Sequence, residues 1–342
     1  MNLPYPGASV GAAILVLMFL QGCSHPSIGD QIQNYQEKLA RVLDEDLPGS
    51  EPETLPSLPR ARALRLEFSE ESLNLLEFFQ LMDCELHELI ADHNSSLGRL
   101  ATPSQELVYQ LRFLDAAQSC ISQITEDQPE LAETLRLVTE NKRQQLPGYI
   151  WQATLGGKEF RSFWQPGYND YIADELSEVD LALSRLNHLV TRWINGNYEV
   201  DSKELETLLG TLRQGDGGRL VAAWQQAASG LNGASAILEA RLDRKPLCFP
   251  QMVTSKADIF RNVVMGDFIG QIQPVVAKMN RRYYSGFRIV EAMETILAAA
   301  EPQAYRAWRL HRNNKLKEAR AAVPAHVAAL EPIMKQCGFL PG

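Results

Sequence analysis

The chain lacks the motifs that define several large enzyme classes. Its 342 residues contain no CxxC pair, no GxSxG nucleophile elbow, no phosphate-binding glycine loop and no dinucleotide-binding fingerprint. Without a CxxC pair, a thiol redox motif or a zinc knuckle is not indicated. Alternating strand patterns of useful length are scarce as well. We therefore expect an all-α fold and predict no cofactor, no metal and no nucleic-acid partner.

Charged side chains are absent from residues 1–22, which end in an apolar run from Val10 to Leu20. That run is too short to cross a bilayer as a helix and has the length of a signal-peptide core. The tetrapeptide at 20–23, Leu-Gln-Gly-Cys, resembles the lipobox of bacterial lipoproteins. We predict that residues 1–22 are a signal peptide and that Cys23 carries the lipid anchor to the membrane. The alternatives are a plain secretory signal or a buried helix, and the abrupt polar switch after Cys23 argues against burial.

The resemblance to lipoproteins also implies a location. Ser24 follows the modified cysteine, where lipoproteins kept in the inner membrane typically carry Asp. The periplasmic face of the outer membrane is therefore the expected site. Several acyl chains anchor durably there, because each buried methylene contributes about 0.8 kcal/mol.

Four cysteines remain once Cys23 is set aside: Cys84, Cys120, Cys248 and Cys337. An even number in an oxidising compartment favours two disulfides, and four buried free thiols are the alternative. Three connectivities are possible. We predict the local one, in which Cys84 pairs with Cys120 and Cys248 pairs with Cys337.

The chain divides at a proline-rich stretch. Residues 23–60 contain a short amphipathic helix from Ile28 to Asp46 and then a semi-rigid spacer with Pro48, Pro52, Pro56 and Pro59. Residues 61–342 are long enough for one large or two small helical domains, and we predict one helical globular domain.

Apolar residues spaced three and four apart predict helices throughout residues 61–342. Thr102-Pro103-Ser104-Gln105 offers an N-cap, a proline at the first helical position and a capping-box glutamine. Pro274 is expected to kink or break a helix, because proline lacks the amide hydrogen. The predicted helices are 75–89, 103–124, 176–193 closed by Asn195-Gly196, a helix opened by Asp201, 220–238, 255–279 interrupted at Pro274, 286–300, 302–322 and 324–336. The predicted architecture is an irregular all-α multi-helix bundle with two disulfides.

Three segments resemble a family catalogued as domain of unknown function 3080, an uncharacterised family of proteobacterial periplasmic lipoproteins. The first is His93-Asn94-Ser95-Ser96-Leu97-Gly98, followed by 103–105 and 111–114. The second is Ile150-Trp151-Gln152-Ala153-Thr154 with Glu159-Phe160 and Phe163-Trp164. The third is Leu247-Cys248-Phe249 with Ile272-Gln273-Pro274. The resemblance covers most of the chain. It implies a single periplasmic helical domain and assigns no activity to any residue.

Two catalytic patterns are incomplete. His87-Glu88 followed by His93 resembles a zinc-protease helix, but histidines six residues apart lie about 240° apart around a helix and cannot share a metal. Glu71-Ser72 resembles the start of the lytic transglycosylase motif, yet the residues after it do not follow that motif. Glu71 is better explained as an acid at a helix start.

An aromatic cluster is the first candidate binding feature. Residues 149–171 hold seven of the chain's 27 aromatics, among them Trp151, Phe160, Phe163, Trp164 and Tyr168, on a backbone rich in Pro and Gly. They could line a groove for sugar rings or a peptide. The alternative is an irregular connection that its rings hold to the core, and we expect Trp151 and Trp164 to be mostly buried.

The second candidate is a basic carboxyl-terminal region. Residues 241–342 hold 16 Lys and Arg against 8 Asp and Glu, whereas the whole chain has a net charge of −9. Arg306, Arg309 and Arg312 recur every three residues, so on a helix they form a slanting stripe that could bind anionic lipid. The alternative is that acidic residues of the same chain already pair with these cations.

Together these features favour a lipid-anchored binding or scaffold protein of the cell envelope, with an envelope protein, peptidoglycan or anionic lipid as partner. A cell-wall hydrolase with an unrecognised site is the alternative. A hydrolase requires a carboxylate or metal cluster in a cleft, whereas a binding module does not.

Overall fold

Helices are the only regular elements in the part of the chain that the computed structural model describes, residues 26–49, 57–69, 75–166, 178–249 and 252–339. The predicted all-α multi-helix fold is confirmed. The helices are α1 Ile28–Leu43, α2 Leu75–Gln80, α3 Glu85–Asn94, α4 Pro103–Ile124, α5 Pro129–Ala153, α6 Lys158–Phe163, α7 Glu178–Ile194, α8 Ser202–Leu212, α9 Gly217–Leu242, α10 Ser255–Val263, α11 Gln273–Arg282, α12 Arg288–Ile296 and α13 Gln303–Gln336. Among these described helices none is both long and apolar enough to cross a bilayer.

Side-chain caps fix several helix ends where the sequence predicts them. Thr102 Oγ1 accepts the Gln105 N–H, and the Gln105 side chain accepts the Thr102 N–H at 2.9 Å, which completes the capping box of α4. Asp201 accepts the first free N–H groups of α8. α7 ends before Gly196, whose φ of +89° is readily adopted by glycine alone.

The larger core forms around α1, α9, α13 and the helical stretch 255–296. α1 buries Ile28, Ile32 and Tyr35 in this core. It lies close to α9, since a Cβ on Gly230 would overlap Ile32. The predicted domain boundary at residue 61 leaves α1 outside the globular domain, but in the structure α1 is part of the core, because its apolar face packs on α9.

Helical structure continues through Pro274, where a kink or a break is predicted, and through Pro324, where a second helix is predicted to begin. From Ser255 to Ile296 the chain stays helical, with π-helical turns at Val264–Ile272 and Tyr283–Phe287. The first π segment leads directly into Pro274, so a wider turn takes the place of the predicted break.

α13 likewise runs on through Pro324, and the prediction of two helices there is wrong. Proline inside a helix costs about 3 kcal/mol. Burial of Ala322, His326 and Leu330 on the face that packs against α9 offsets this cost.

A second, smaller core lies between α3, α4 and α5. The predicted helix 75–89 is two helices here, α2 and α3, and Met82 between them is 67% exposed. Cys84 stands at the N-cap of α3 and is bonded to Cys120 of α4. The disulfide therefore fastens this helix pair, as predicted.

The other predicted disulfide is also present. Cys248 follows α9, and Cys337 follows the last turn of α13. The bond joins the ends of two long helices that pack side by side. Both predicted pairings are confirmed.

Candidate functional site

The described residues of the candidate aromatic cluster do not form an accessible groove. Trp151 and Phe160 are fully buried, Phe163 is 2% exposed and Trp164 is 6% exposed, all within the larger core. The Phe163 ring occupies space that a Cβ on Gly215 or Gly217 would fill. These rings therefore hold the connection after α5 to the core, and the predicted burial of both tryptophans is confirmed. Tyr168 lies outside the described residues.

The arginine stripe does not face solvent as a unit. Arg312 is fully buried, where its guanidinium forms two bonds to the Glu294 carboxylate of 2.9 and 2.7 Å. The guanidinium also lies 4.4 Å from the centre of the Trp164 ring and 4.9 Å from that of Trp308. The suggested anion-binding role for Arg312 is therefore wrong, because a carboxylate and aromatic rings of its own chain enclose it.

Arg306 and Arg309 are paired as well, and both contact the carboxylate of Glu301, at 2.9 and 2.7 Å. A further basic residue, Arg282, reaches into the acidic part of the chain and contacts Asp180 and Asp216. The alternative of intramolecular pairing thus accounts for these cations.

A cleft of about 1290 Å³ opens in the described part of the chain. Helices α3, α4 and α5 border it together with the strap, as we call residues 65–69, which have no regular secondary structure. Ligand pockets commonly have volumes of roughly 300–1000 Å³. The cleft is therefore large enough for a ligand of several joined units.

A chain of polar contacts crosses the floor of the cleft. His93 of α3 meets the Glu106 carboxylate of α4 at 2.9 Å. The other Glu106 oxygen accepts the Gln110 amide at 2.7 Å, and the Gln110 carbonyl in turn accepts from the Lys142 ammonium of α5 at 2.9 Å. Three helices thus place an imidazole, a carboxylate, an amide and an ammonium in one row.

Burial and neighbours set the protonation of this row. Burial favours the neutral form of Glu106, but hydrogen bonds from His93 and Gln110 and the charges of His93 and Lys142 outweigh it, so the pKa of Glu106 lies below its usual value. Burial lowers the pKa of Lys142 to about 8, although the Glu106 charge acts in the opposite direction. The carboxylate is ionised at neutral pH, and the ammonium is poorly solvated.

Aromatic rings surround the polar row. The His93 ring stacks on Tyr109 with 3.7 Å between ring centres. The Lys142 ammonium lies 5.1 Å from the centre of the Tyr109 ring and 4.7 Å from that of Phe113. These contacts replace part of the hydration that Lys142 loses in the cleft.

The strap is fixed to α5 by side-chain amides. The Leu66 N–H donates to the Gln152 carbonyl and the Ser69 N–H to the Gln145 carbonyl, each at 2.9 Å. Phe68 stacks on Tyr149 at 3.8 Å between ring centres. This contact requires Gly148, since a Cβ there would overlap the Phe68 ring.

The arrangement is suited to binding a ligand with both polar and apolar groups. Convergent amides, rings and a desolvated cation are typical of ligand sites. Within the described residues no group of His, Cys, Asp or Glu side chains could hold a metal ion.

Sequence reasoning missed most of this site. The sequence suggests His93 only as a metal ligand and excludes that role, whereas in the structure His93 is half-buried and bonded to Glu106. Lys142, Gln145 and Gln152 carry no motif. The one local signal was Pro147-Gly148-Tyr149, a turn-like tripeptide that in fact lies inside α5.

The fold and the cleft together define a class: a disulfide-bonded, all-α protein with a ligand-sized cleft beside its smaller core. More particularly, the chain belongs to the family described as "Protein of unknown function (DUF3080)", whose model matches residues 32–341. Neither the curated proteins nor the solved structures provide a match to the chain.

Proposed function

We propose that this protein is a lipid-anchored ligand-binding protein on the periplasmic face of the outer membrane, and that the cleft between α3, α4 and α5 is its ligand site. The observation on which the binding role rests is the row His93, Glu106, Gln110 and Lys142 in a cleft of about 1290 Å³. The ligand is a component of the cell envelope, for which peptidoglycan fragments are the first candidates.

Two features support export and anchoring. The tetrapeptide at 20–23 has the small residue and the cysteine that lipid transfer requires. The disulfides Cys84–Cys120 and Cys248–Cys337 favour an oxidising compartment such as the periplasm.

The chemistry of the cleft favours binding over hydrolysis. A glycosidase uses a carboxylic acid with a raised pKa to protonate the leaving group. Glu106 has the opposite property, because its neighbours stabilise the ionised form. It is suited to hold His93 and Gln110 in place rather than to donate a proton.

The anchor is tested by the variant Cys23→Ala. We expect an unprocessed, unlipidated precursor, because the thioether to the lipid forms only on that sulfur. Mass spectrometry of the native protein should in turn show a mature chain that starts at a lipidated Cys23. A mature start at any other residue contradicts the anchor.

The cleft is tested by filling it. Ala91 lines the cleft, so Ala91→Trp should occupy part of its volume without removing a hydrogen-bonding side chain. Ala325, an exposed residue of α13, gives the matched control Ala325→Trp. Native mass spectrometry of the full-length lipidated protein in detergent, mixed with muropeptides from digested cell wall, should show a complex for the parent and the control but not for Ala91→Trp. If all three proteins bind equally, or none does, muropeptides are not ligands of the cleft.

A further inference from the structure

Two neighbouring helical segments of the larger core expose a surface without charge. Residues 262–277, together with residues 321–330 of α13, number 26, and among them only Asp267 and His326 can carry a charge. Both of these are buried, and Asp267 is paired with Lys38 at 2.7 Å. The chain as a whole is 22% charged, so 26 residues would on average hold about six charged side chains. The lack of exposed charge is therefore particular to this surface.

The two segments lie side by side and antiparallel. Three side-chain contacts join them: Arg261 over the Phe339 ring (5.0 Å to the ring centre), Phe268 against His326 (4.8 Å between ring centres) and Arg320 to the Tyr284 hydroxyl (3.1 Å). Residue numbers rise along one segment and fall along the other. Both uncharged segments lie between the outer two contacts, so their exposed residues form one surface, which we call the apolar face.

The apolar face presents aliphatic side chains on a flat background. Met265, Ile269 and Val327 are between 39% and 50% exposed. The other exposed positions include residues with little or no side chain, namely Gly266, Gly270, Ala277, Ala321, Ala325 and Ala328. Contiguous apolar surface of this kind marks contact with another protein or with a membrane.

The proposed anchor can bring the apolar face to a bilayer. Tyr35 of α1 stacks on Phe268 with 5.8 Å between ring centres, so α1 packs beneath the face. Ile28, where α1 begins, is seven residues before Tyr35, which corresponds to about 10.5 Å along a helix. Cys23 is five residues before Ile28, and five residues extend to at most about 18 Å. The anchor and the apolar face can therefore contact the same membrane.

Cations border the apolar face. Arg281 and Lys317 are exposed beyond the ends of the uncharged segments, and within the described residues neither forms an ion pair. The region that contains both segments, residues 241–342, holds 16 Lys and Arg against 8 Asp and Glu. A bilayer with anionic headgroups complements both parts of this surface, because acyl chains accept the aliphatic side chains and phosphates attract the cations.

We propose that the apolar face lies on a bilayer that contains anionic phospholipid. Met265, Ile269 and Val327 then reach the acyl chains, while Arg281 and Lys317 lie at the phosphates. The inference rests on the anchor of the proposed function and adds what the anchor leaves open, which is the orientation of the protein on the membrane.

The test measures the depth of single residues in the bilayer. The full-length lipidated protein, in vesicles of phosphatidylcholine and phosphatidylglycerol, carries the fluorophore NBD on one introduced cysteine, Met265→Cys or Val327→Cys. Leu137→Cys is the matched control, because Leu137 is 62% exposed on α5 and belongs to the side of the smaller core. Phospholipid brominated on its acyl chains should quench the labels at 265 and 327 about twofold more than the label at 137, since interfacial faces lie roughly 5–10 Å within the headgroup and acyl boundary.

Further variants test the two parts of the face. Ile269→Glu should lower the quenching of the label at 265 to the level seen at 137, whereas the matched control Leu137→Glu should leave it unchanged. Arg281→Gln combined with Lys317→Gln should lower this quenching in vesicles with phosphatidylglycerol but not in phosphatidylcholine alone, since each cation near an anionic surface favours contact about fivefold.

The outcomes separate this inference from the proposed function. Equal quenching at 265, 327 and 137, in protein whose intact mass includes the lipid, overturns the membrane contact and leaves the anchor standing. A mass without the lipid refutes the anchor and the orientation that rests on it. A blue-shifted label at 265 that bromolipid does not quench, with energy transfer between labelled copies, assigns the face to a second copy and overturns the proposal. The cleft is judged separately, by the muropeptide measurement on Ala91→Trp.

Discussion

Acid should destabilise this protein through one buried histidine, His326 of α13, which is fully buried between α1 and α9. Its Nδ1 lies 3.0 Å from Ser235 Oγ, and its Nε2 lies 3.0 Å from the Tyr35 hydroxyl. Ser235 already donates its only hydroxyl hydrogen to the Leu231 carbonyl at 2.9 Å, so it accepts from Nδ1–H. Nε2 then accepts from Tyr35, and burial, with the nearby Asp267 charge, raises the pKa of that phenol far above its usual value. The site is built for a neutral imidazole.

The size of the effect follows from the pKa. Burial lowers the pKa of His326 from 6.5 to about 4. Above pH 6.5 the imidazole is neutral in both the folded and unfolded states, and the folded protein keeps its full stability. As the pH falls below 6.5, only the unfolded chain takes up the proton, so stability declines until the pH approaches 4. Between pH 7.5 and pH 5 the expected loss in the free energy of unfolding is about 2 kcal/mol.

Urea denaturation, followed by tryptophan fluorescence at pH 7.5 and pH 5, measures this loss. Other groups titrate too, so the quantity to compare is the difference between the parent and His326→Gln. Glutamine can still donate to Ser235 and accept from Tyr35 but takes up no proton. We expect this difference to fall by about 2 kcal/mol on acidification, and His188→Gln, at an exposed histidine of α7, to track the parent. A difference that stays constant across this range would refute the assignment of a neutral, buried His326.

The remaining predictions concern stability. Replacing Cys248 and Cys337 with serine should lower the free energy of unfolding by about 4.6 kcal/mol in the chain-entropy model for their 89-residue separation, as measured by urea titration. Trp164→Ala should cost about 3–5 kcal/mol and leave ligand binding to the refolded protein intact. Loss of binding without loss of stability would instead support the hypothesis that the aromatic residues line a binding groove. Arg312→Met should cost about 3–5 kcal/mol, because it leaves the buried Glu294 carboxylate without its cation, and adding Glu294→Gln should recover part of that stability in calorimetry.

Local chemistry made several features predictable. The capping box at Thr102, the acid at Asp201 and the positive φ at Gly196 act within a few residues, so the sequence alone locates those helix ends. The pairing of Cys84 with Cys120 could be predicted because the two residues lie on helices that are neighbours in sequence, α3 and α4. The burial of Trp151 follows from its size and apolar surface.

Features that depend on distant residues could not be predicted in this way. The spacing of Arg312 within α13 suggested an exposed cation, yet Glu294 of α12 and the ring of Trp164 enclose it. The chain stays helical at Pro274 and Pro324, although proline removes a backbone hydrogen bond, because packing on neighbouring helices offsets that loss.

The residues of the cleft also come from separate helices, whose contacts the sequence does not predict. Its lysine comes from α5, its carboxylate from α4 and its histidine from α3, while the strap arrives from residues 65–69. Helical periodicity places each side chain on a face of its own helix but does not state which helix lies opposite. Composition and capping therefore determine that this chain is helical and where its helices start. Only tertiary packing decides which polar groups lose water together, and this shared loss of water gives Lys142 and His326 their unusual pKa values.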